Sequence, residues 1–359
     1  MALFRAFAVF LAITCVLSFW LGMGRPVHAE EICYPVPRPQ IENNKVTLRV
    51  DHAVNSRFSH MPEAQLEILL AEANRVSMEH FGIELNFNQP ETFDISKLFA
   101  LRPNIADDEV MEWVYDFKRR NGDRDRLVAD LLERLQANEA KLAEIFDYAL
   151  PHLTAMPLGG RAQDLATALT ETLLNRFGVW RILPANDRRA VIDDSVYNEW
   201  TYWDTLAHGA LPYDIVITNQ LVASAEYYGM DVHSALRGGI SVGTTSYSRD
   251  GPYHTYAFLS TFPFANDYRP IVDLRGGVEY DEKQAARLAG AYLAYEIGHV
   301  LLHLGHPFNR SACVMNPAQL LDFQTWYDNL DAERCALGSK AEMVPGAAQL
   351  SYNASWVLQ

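Results

Sequence analysis

Apolar and polar residues alternate along this chain with two distinct periods. Val46 to Val50 alternates as a β-strand. Pro62 to Phe81 carries the helical period of an amphipathic helix, and Gly82 leads from it into a strand over Ile83 to Phe87. From about Asp94 to Leu211 the pattern is helical. Asp107-Asp108-Glu109 opens one helix that Asn121-Gly122 closes. A longer helix is predicted from Asp123 to Leu150, stopped by Pro151. A third spans Arg161 to Phe177 and ends at Gly178, and a fourth is expected over Asn186 to Thr205. Strands resume at Asp214 to Thr218, Ile240 to Thr245 and Thr255 to Phe262. Gly238, Gly239 and Gly243 mark turns or bulges and do not form a phosphate-binding fingerprint. Helices over Glu282 to Leu304 and Ala318 to Leu330 complete the pattern.

The first residues read differently. Arg5 precedes an almost unbroken apolar run from Phe7 to Leu21, and Val27-His28-Ala29 offers small residues for cleavage before Glu30. That is the pattern of a signal peptide over 1–29, with an uncleaved anchor as the alternative and the only route to a membrane. An exported protein, periplasmic or secreted, is expected. Residues 30–44, with Pro35, Pro37 and Pro39, form an extended lead-in.

The 359 residues are 49% hydrophobic, ample for a core. Removing Arg5 and Arg25 with the leader leaves 28 basic against 45 acidic residues, a net charge of −17. A surface so acidic opposes nucleic-acid binding, which needs cations to displace phosphate counterions. The aromatic group Tyr197, Trp200, Tyr202 and Trp203 serves either a substrate cleft or a packing seam.

Chemistry concentrates in Tyr295-Glu296-Ile297-Gly298-His299-Val300-Leu301-Leu302-His303-Leu304-Gly305-His306-Pro307. At about 100° per residue, Tyr295, His306, His299, His303 and Glu296 fall within one arc of about 100°. An i, i+4 histidine pair has Cβ atoms roughly 5–6 Å apart, a span that one zinc ion bridges. Neutral imidazoles leave such an ion net positive, and a carboxylate beside it can take a proton from water and pass it to a leaving amine. The other histidines, His52, His60, His80, His152, His208, His233 and His254, have no ligand-like spacing.

The run resembles the zinc-peptidase signature H-E-x-x-H, and within that group the metzincins. The resemblance is sharp over Tyr295 to Pro317 and loose, at the level of element order, over Lys45 to Phe87 and Asp214 to Cys335. It implies Glu296 as general base, His299 and His306 as Zn2+ ligands, Gly305 as the helix break and Met315, in Cys313-Val314-Met315-Asn316-Pro317, as the methionine turn. Two departures stand out. Tyr295 occupies the first histidine's position, and the stretch from His299 to His306 is one residue longer and contains His303. Tyrosine ligates zinc poorly unless deprotonated, and its ordinary pKa is about 10. Either His303 replaces the missing ligand, or the site is degenerate. Glu296 as a fourth, structural ligand is a further alternative.

The fold class expected is α+β: a metzincin-like mixed sheet with an active-site helix, from 45–93 and 212–340, interrupted by a large all-helical insertion at 94–211 and followed by a tail at 341–359. The resemblance implies that Thr255 to Phe262 lines the cleft and pairs with an extended peptide. Cys313 and Cys335 flank the methionine turn and the next helix and are the favoured disulfide. Cys33 is left as a zinc-capping thiolate, a free thiol or a member of another pairing. The activity implied is hydrolysis of a peptide or protein substrate. The alternatives are a non-catalytic peptide or protein binder and a structural-metal scaffold.

Overall fold

The computed structural model describes residues 41–100, 124–192, 197–199, 213–223, 232–247, 255–302, 304 and 311–335. The leader, residues 30–40 of the lead-in, the Asp107–Gly122 helix, Trp200, Tyr202, Trp203, His303, Gly305, His306 and the tail lie outside these residues, as does Cys33.

The single strand expected at Val46–Val50 is two, β1 (Lys45–Leu48) and β2 (Val50–Val54). Helix α1 (Glu63–His80) follows, burying Leu66, Leu69, Leu70, Ala73, Val76 and Ser77 along one stripe. Gly82, at φ 70°, ends it in the left-handed conformation that costs a glycine little. Next come β3 (Glu84–Phe87), β4 (Thr92–Asp94) and the short α2 (Ser96–Ala100).

In the expected insertion, the helix foreseen from Asp123 to Leu150 is broken into α3 (Arg124–Ala137) and α4 (Leu142–Ala149). Asn138 makes the break, its side-chain amide donating to the Arg134 carbonyl in place of continued helix. α5 (Ala162–Trp180) runs through Gly178 rather than ending there. The fourth helix, expected over Asn186–Thr205, is absent from 186–192 and 197–198. Asp187 accepts from the Arg189 backbone N–H, Arg188 takes φ 66°, and Pro184 bridges Ala190, so this segment is a tight turn. Beyond it Tyr197–Asn198 forms β5. The all-helical expectation is corrected accordingly.

The remaining elements are β6 (Ile215–Thr218), β7 (Val222–Ala223), α6 (Val232–Arg237), β8 (Ile240–Ser241), β9 (Gly243–Tyr247) and β10 (Thr255–Ser260). The helices α7 (Phe262–Ala265), α8 (Arg269–Leu274), α9 (Glu282–Leu302) and α10 (Phe323–Asn329) follow. α10 starts five residues later than expected, where the Asp322 carboxylate caps the Thr325 N–H.

The fold is mixed α and β, in the α+β class. Its main sheet has the order β4-β2-β6-β10-β9, all parallel except β9, which runs antiparallel to β10 along one edge. A two-stranded sheet (β1-β3) and a three-stranded one (β5-β7-β8) flank it. One face of the main sheet, with Val50, Ile215, Ile217, Ala257 and Leu259, packs into the large core with α1 and α9. The other face, with Ala53, Val216, Tyr256 and Phe258, closes on Ile95, Leu98, Tyr213 and Val222. α9 is buried on nearly all sides, the behaviour of a helix apolar around its whole circumference.

This topology corrects one expectation. β10 pairs with β6 on one side and β9 on the other, so its backbone groups are spent inside the sheet and cannot take up an extended peptide. Among the described strands of the main sheet, β4 and β9 hold the two edges. Among the described residues no helix is long and apolar enough to cross a membrane.

Candidate active site

The second half of α9 delivers the motif. Glu296 and His299 are both buried and one turn apart, and Glu296 faces β9 of the main sheet. The Thr245 hydroxyl of β9 donates to Glu296 Oε2 at 3.1 Å. Burial is the main reason the Glu296 carboxyl is pushed up to about 8. The negative charge of Glu199 adds to the rise, while the Thr245 hydrogen bond and the Arg237 charge oppose it.

His299 Nδ1 lies 2.5 Å from the Leu304 carbonyl oxygen. A carbonyl can only accept, so Nδ1 carries the proton and Nε2 carries the lone pair. Burial lowers the imidazole to about 4, with the Leu304 carbonyl opposing, so the ring is neutral at physiological pH. A neutral ring with one nitrogen fixed by a backbone carbonyl is the form in which histidine binds metals.

Tyr295 packs between His299 and the aromatic residues of α9 and α10. Its ring packs against Tyr292 (centroids 4.7 Å apart) and edge-on to His299 (4.8 Å). The two phenols are hydrogen-bonded, and Tyr292 also bonds Arg237. Tyr292 in turn meets Phe323 and Trp326 at 5.5 and 5.7 Å, so the pair belongs to an aromatic cluster between α9 and α10. Burial, then Tyr292 and Glu296, hold the Tyr295 phenol well above its ordinary value. It is a buried, neutral phenol.

Met315 is fully buried beneath Gly298, where an added Cβ would overlap its sulfur and lie 2.8 Å from Phe81 Cζ. Gly298 therefore lets the Met315 loop come flush against α9 beside His299. The loop is closed by the expected disulfide, Cys313–Cys335, with Cα atoms 4.5 Å apart, and by Trp326 Nε1, which donates to the Asn316 carbonyl at 2.6 Å.

Glu296 and His299 thus share one turn of α9, with Glu296 against β9, while Met315 packs on Gly298, about 200° round the helix from Glu296. α9 is described to Leu302, and His303 and His306 lie outside the described residues. Among the described residues no three histidine, cysteine or carboxylate side chains form a metal-binding group. Sequence reasoning missed Thr245, Arg237 and Glu199. Thr245 is 51 positions from Glu296, and only the register of β9 connects them. Comparison of the chain with protein families, curated proteins and solved structures returns no match.

Proposed function

We propose that the protein is a zinc-dependent peptidase whose centre is built on the second half of α9. The observation that carries this reading is His299: buried, neutral, and fixed in its Nε2-lone-pair tautomer by the Leu304 carbonyl. Its partners as ligands would be His303 and His306, which follow within seven residues. Zn2+ held there would supply Lewis acidity toward a peptide carbonyl. Glu296 would act as the general base, accepting a proton from water and returning it to the departing amine. Its carboxyl is too basic to be fully ionised at neutral pH as it stands, and a cation beside it would lower that value. A peptide substrate would run along β9, the edge strand beside Glu296, rather than along β10. The disulfide and the amino-terminal pattern suit an exported protein.

The test is metal analysis of the purified protein, followed by a peptide-library cleavage assay. Wild type is expected to carry one zinc. His299→Ala, His303→Ala and His306→Ala should each lose it, Tyr295→Phe should keep it, and Glu296→Gln should keep it while losing cleavage. The placement of Tyr295 in the aromatic cluster supports one rival, a degenerate peptide-binding relative. Wild type without zinc, together with a zinc site created by Tyr295→His, would establish that rival. Loss of zinc in Glu296→Gln would instead make Glu296 a ligand of a structural site.

A further inference from the structure

Glu296 is held from the sheet as well as by its own helix. In the β9–β10 pair Thr245 lies opposite Ala257, and Gly243 opposite Leu259. Directly opposed residues share a face of the sheet, and Ala257 and Leu259 belong to the core face beneath α9. Positions 243 and 245 therefore both look toward α9. At 245 a hydroxyl reaches out and donates to Glu296 Oε2. At 243 nothing does, and the carboxylate fills the space: a Cβ added there would overlap Oε1 and lie 2.7 Å from Cδ and 2.8 Å from Cγ. Gly243 is not among the glycines with positive φ, so its backbone conformation does not demand glycine. The side chain of Glu296 does.

We propose that Gly243 and Thr245 are positioning residues for Glu296: β9 forms a notch for the carboxylate at 243 and orients it through the hydroxyl at 245. The inference rests on the reading of Glu296 as general base. It means that β9, the strand along which the proposed function runs the peptide, also sets the group that activates water. A shift of β9 along or away from β10 moves donor and notch together.

The test uses Thr245→Val, which keeps the β-branched shape and removes the donor, and Thr245→Ser, which restores the donor. The carboxyl band of Glu296, assigned by its disappearance in Glu296→Gln, is followed in infrared difference spectra, and kcat and KM are measured on a cleaved peptide. The band is expected to move in Thr245→Val and to return in Thr245→Ser. For an active wild type, kcat should fall about 10- to 100-fold in Thr245→Val with KM changed less than about threefold, and Thr245→Ser should recover most of it. Gly243→Ala should displace the band further. Thr245→Val keeps the test decisive if that variant does not fold. A band unmoved in Thr245→Val overturns the proposal, as does unchanged kcat in an active enzyme. If wild type cleaves nothing while the band still responds, the peptidase reading fails and the positioning of the carboxylate by β9 stands.

Discussion

The two halves of α9 are buried alike and built for different ends. From Ala285 to Leu293 the helix buries small and apolar side chains against α1, and Gly290 sits so close to the Leu69 carbonyl that no side chain fits. The polar groups at that contact lie at its rim and are paired: Glu72 accepts from both Arg75 and the Tyr327 hydroxyl at 2.5 Å. From Tyr295 to His299 the same helix buries a phenol, a carboxyl and an imidazole, each in the protonation state that burial imposes. The first half fastens the domain. The second holds its groups at a cost, since a buried carboxyl is far less favourable than an apolar residue of the same size.

The comparison breaks first along pH. In the metal-free protein the folded carboxyl of Glu296 titrates near 8, against an ordinary value of 4.5. The folded state therefore binds the proton more tightly. The stability this contributes is fully present below about pH 4.5 and is lost as pH rises through 8, a difference of at most about 5 kcal/mol. Urea unfolding at pH 5, 7 and 9 should show Glu296→Gln gaining on wild type as pH rises. A constant difference would mean that Glu296 is ionised throughout.

A second measurement concerns the loop beneath the site. Cys313–Cys335 closes 22 residues. Replacing both cysteines by serine should cost about 3 kcal/mol in thermal or urea unfolding. The loss should appear together with weaker zinc binding, since Met315 lies inside that loop.

Gly290→Ala probes the other half. The new methyl must part α9 from the α1 backbone, costing about 2 kcal/mol. Zinc content should be unaffected. A variant that lost metal would show the two halves to be mechanically coupled. The smallest effect expected is that of Tyr295→Phe, about 1 kcal/mol for the lost phenol hydrogen bond, again with zinc retained.

What could be read from the residues alone follows from range. α1 and α9 declare themselves through local period, and Gly82 marks the end of α1. The motif residues Glu296 and His299 lie one turn apart, so their common face was legible. So was the pairing of Cys313 with Cys335, which flank Met315 and the next helix. Strand order is not local. That β9 rather than β10 holds the edge depends on hydrogen bonds between segments that no pattern pairs in advance. The Tyr292–Tyr295 cluster shows the same limit, because a tyrosine in a ligand's position looks identical in sequence whether it faces a metal or Trp326. The helix expected from Asn186 failed over 186–192 for a different reason: Asn186-Asp187 already held the chemistry of a turn.

One feature of the sheets bears on how this chain could be re-engineered. β5, from the segment between the two parts of the core, pairs with β7; β7 pairs with β8; and Val242 alone separates β8 from β9. The intervening segment is therefore stitched to the strand that holds Glu296. It is not a cassette that can be cut out at its ends, and a chimera joining Asp94 directly to Tyr213 would strip β7 of a neighbour and loosen the anchor of β9 from behind.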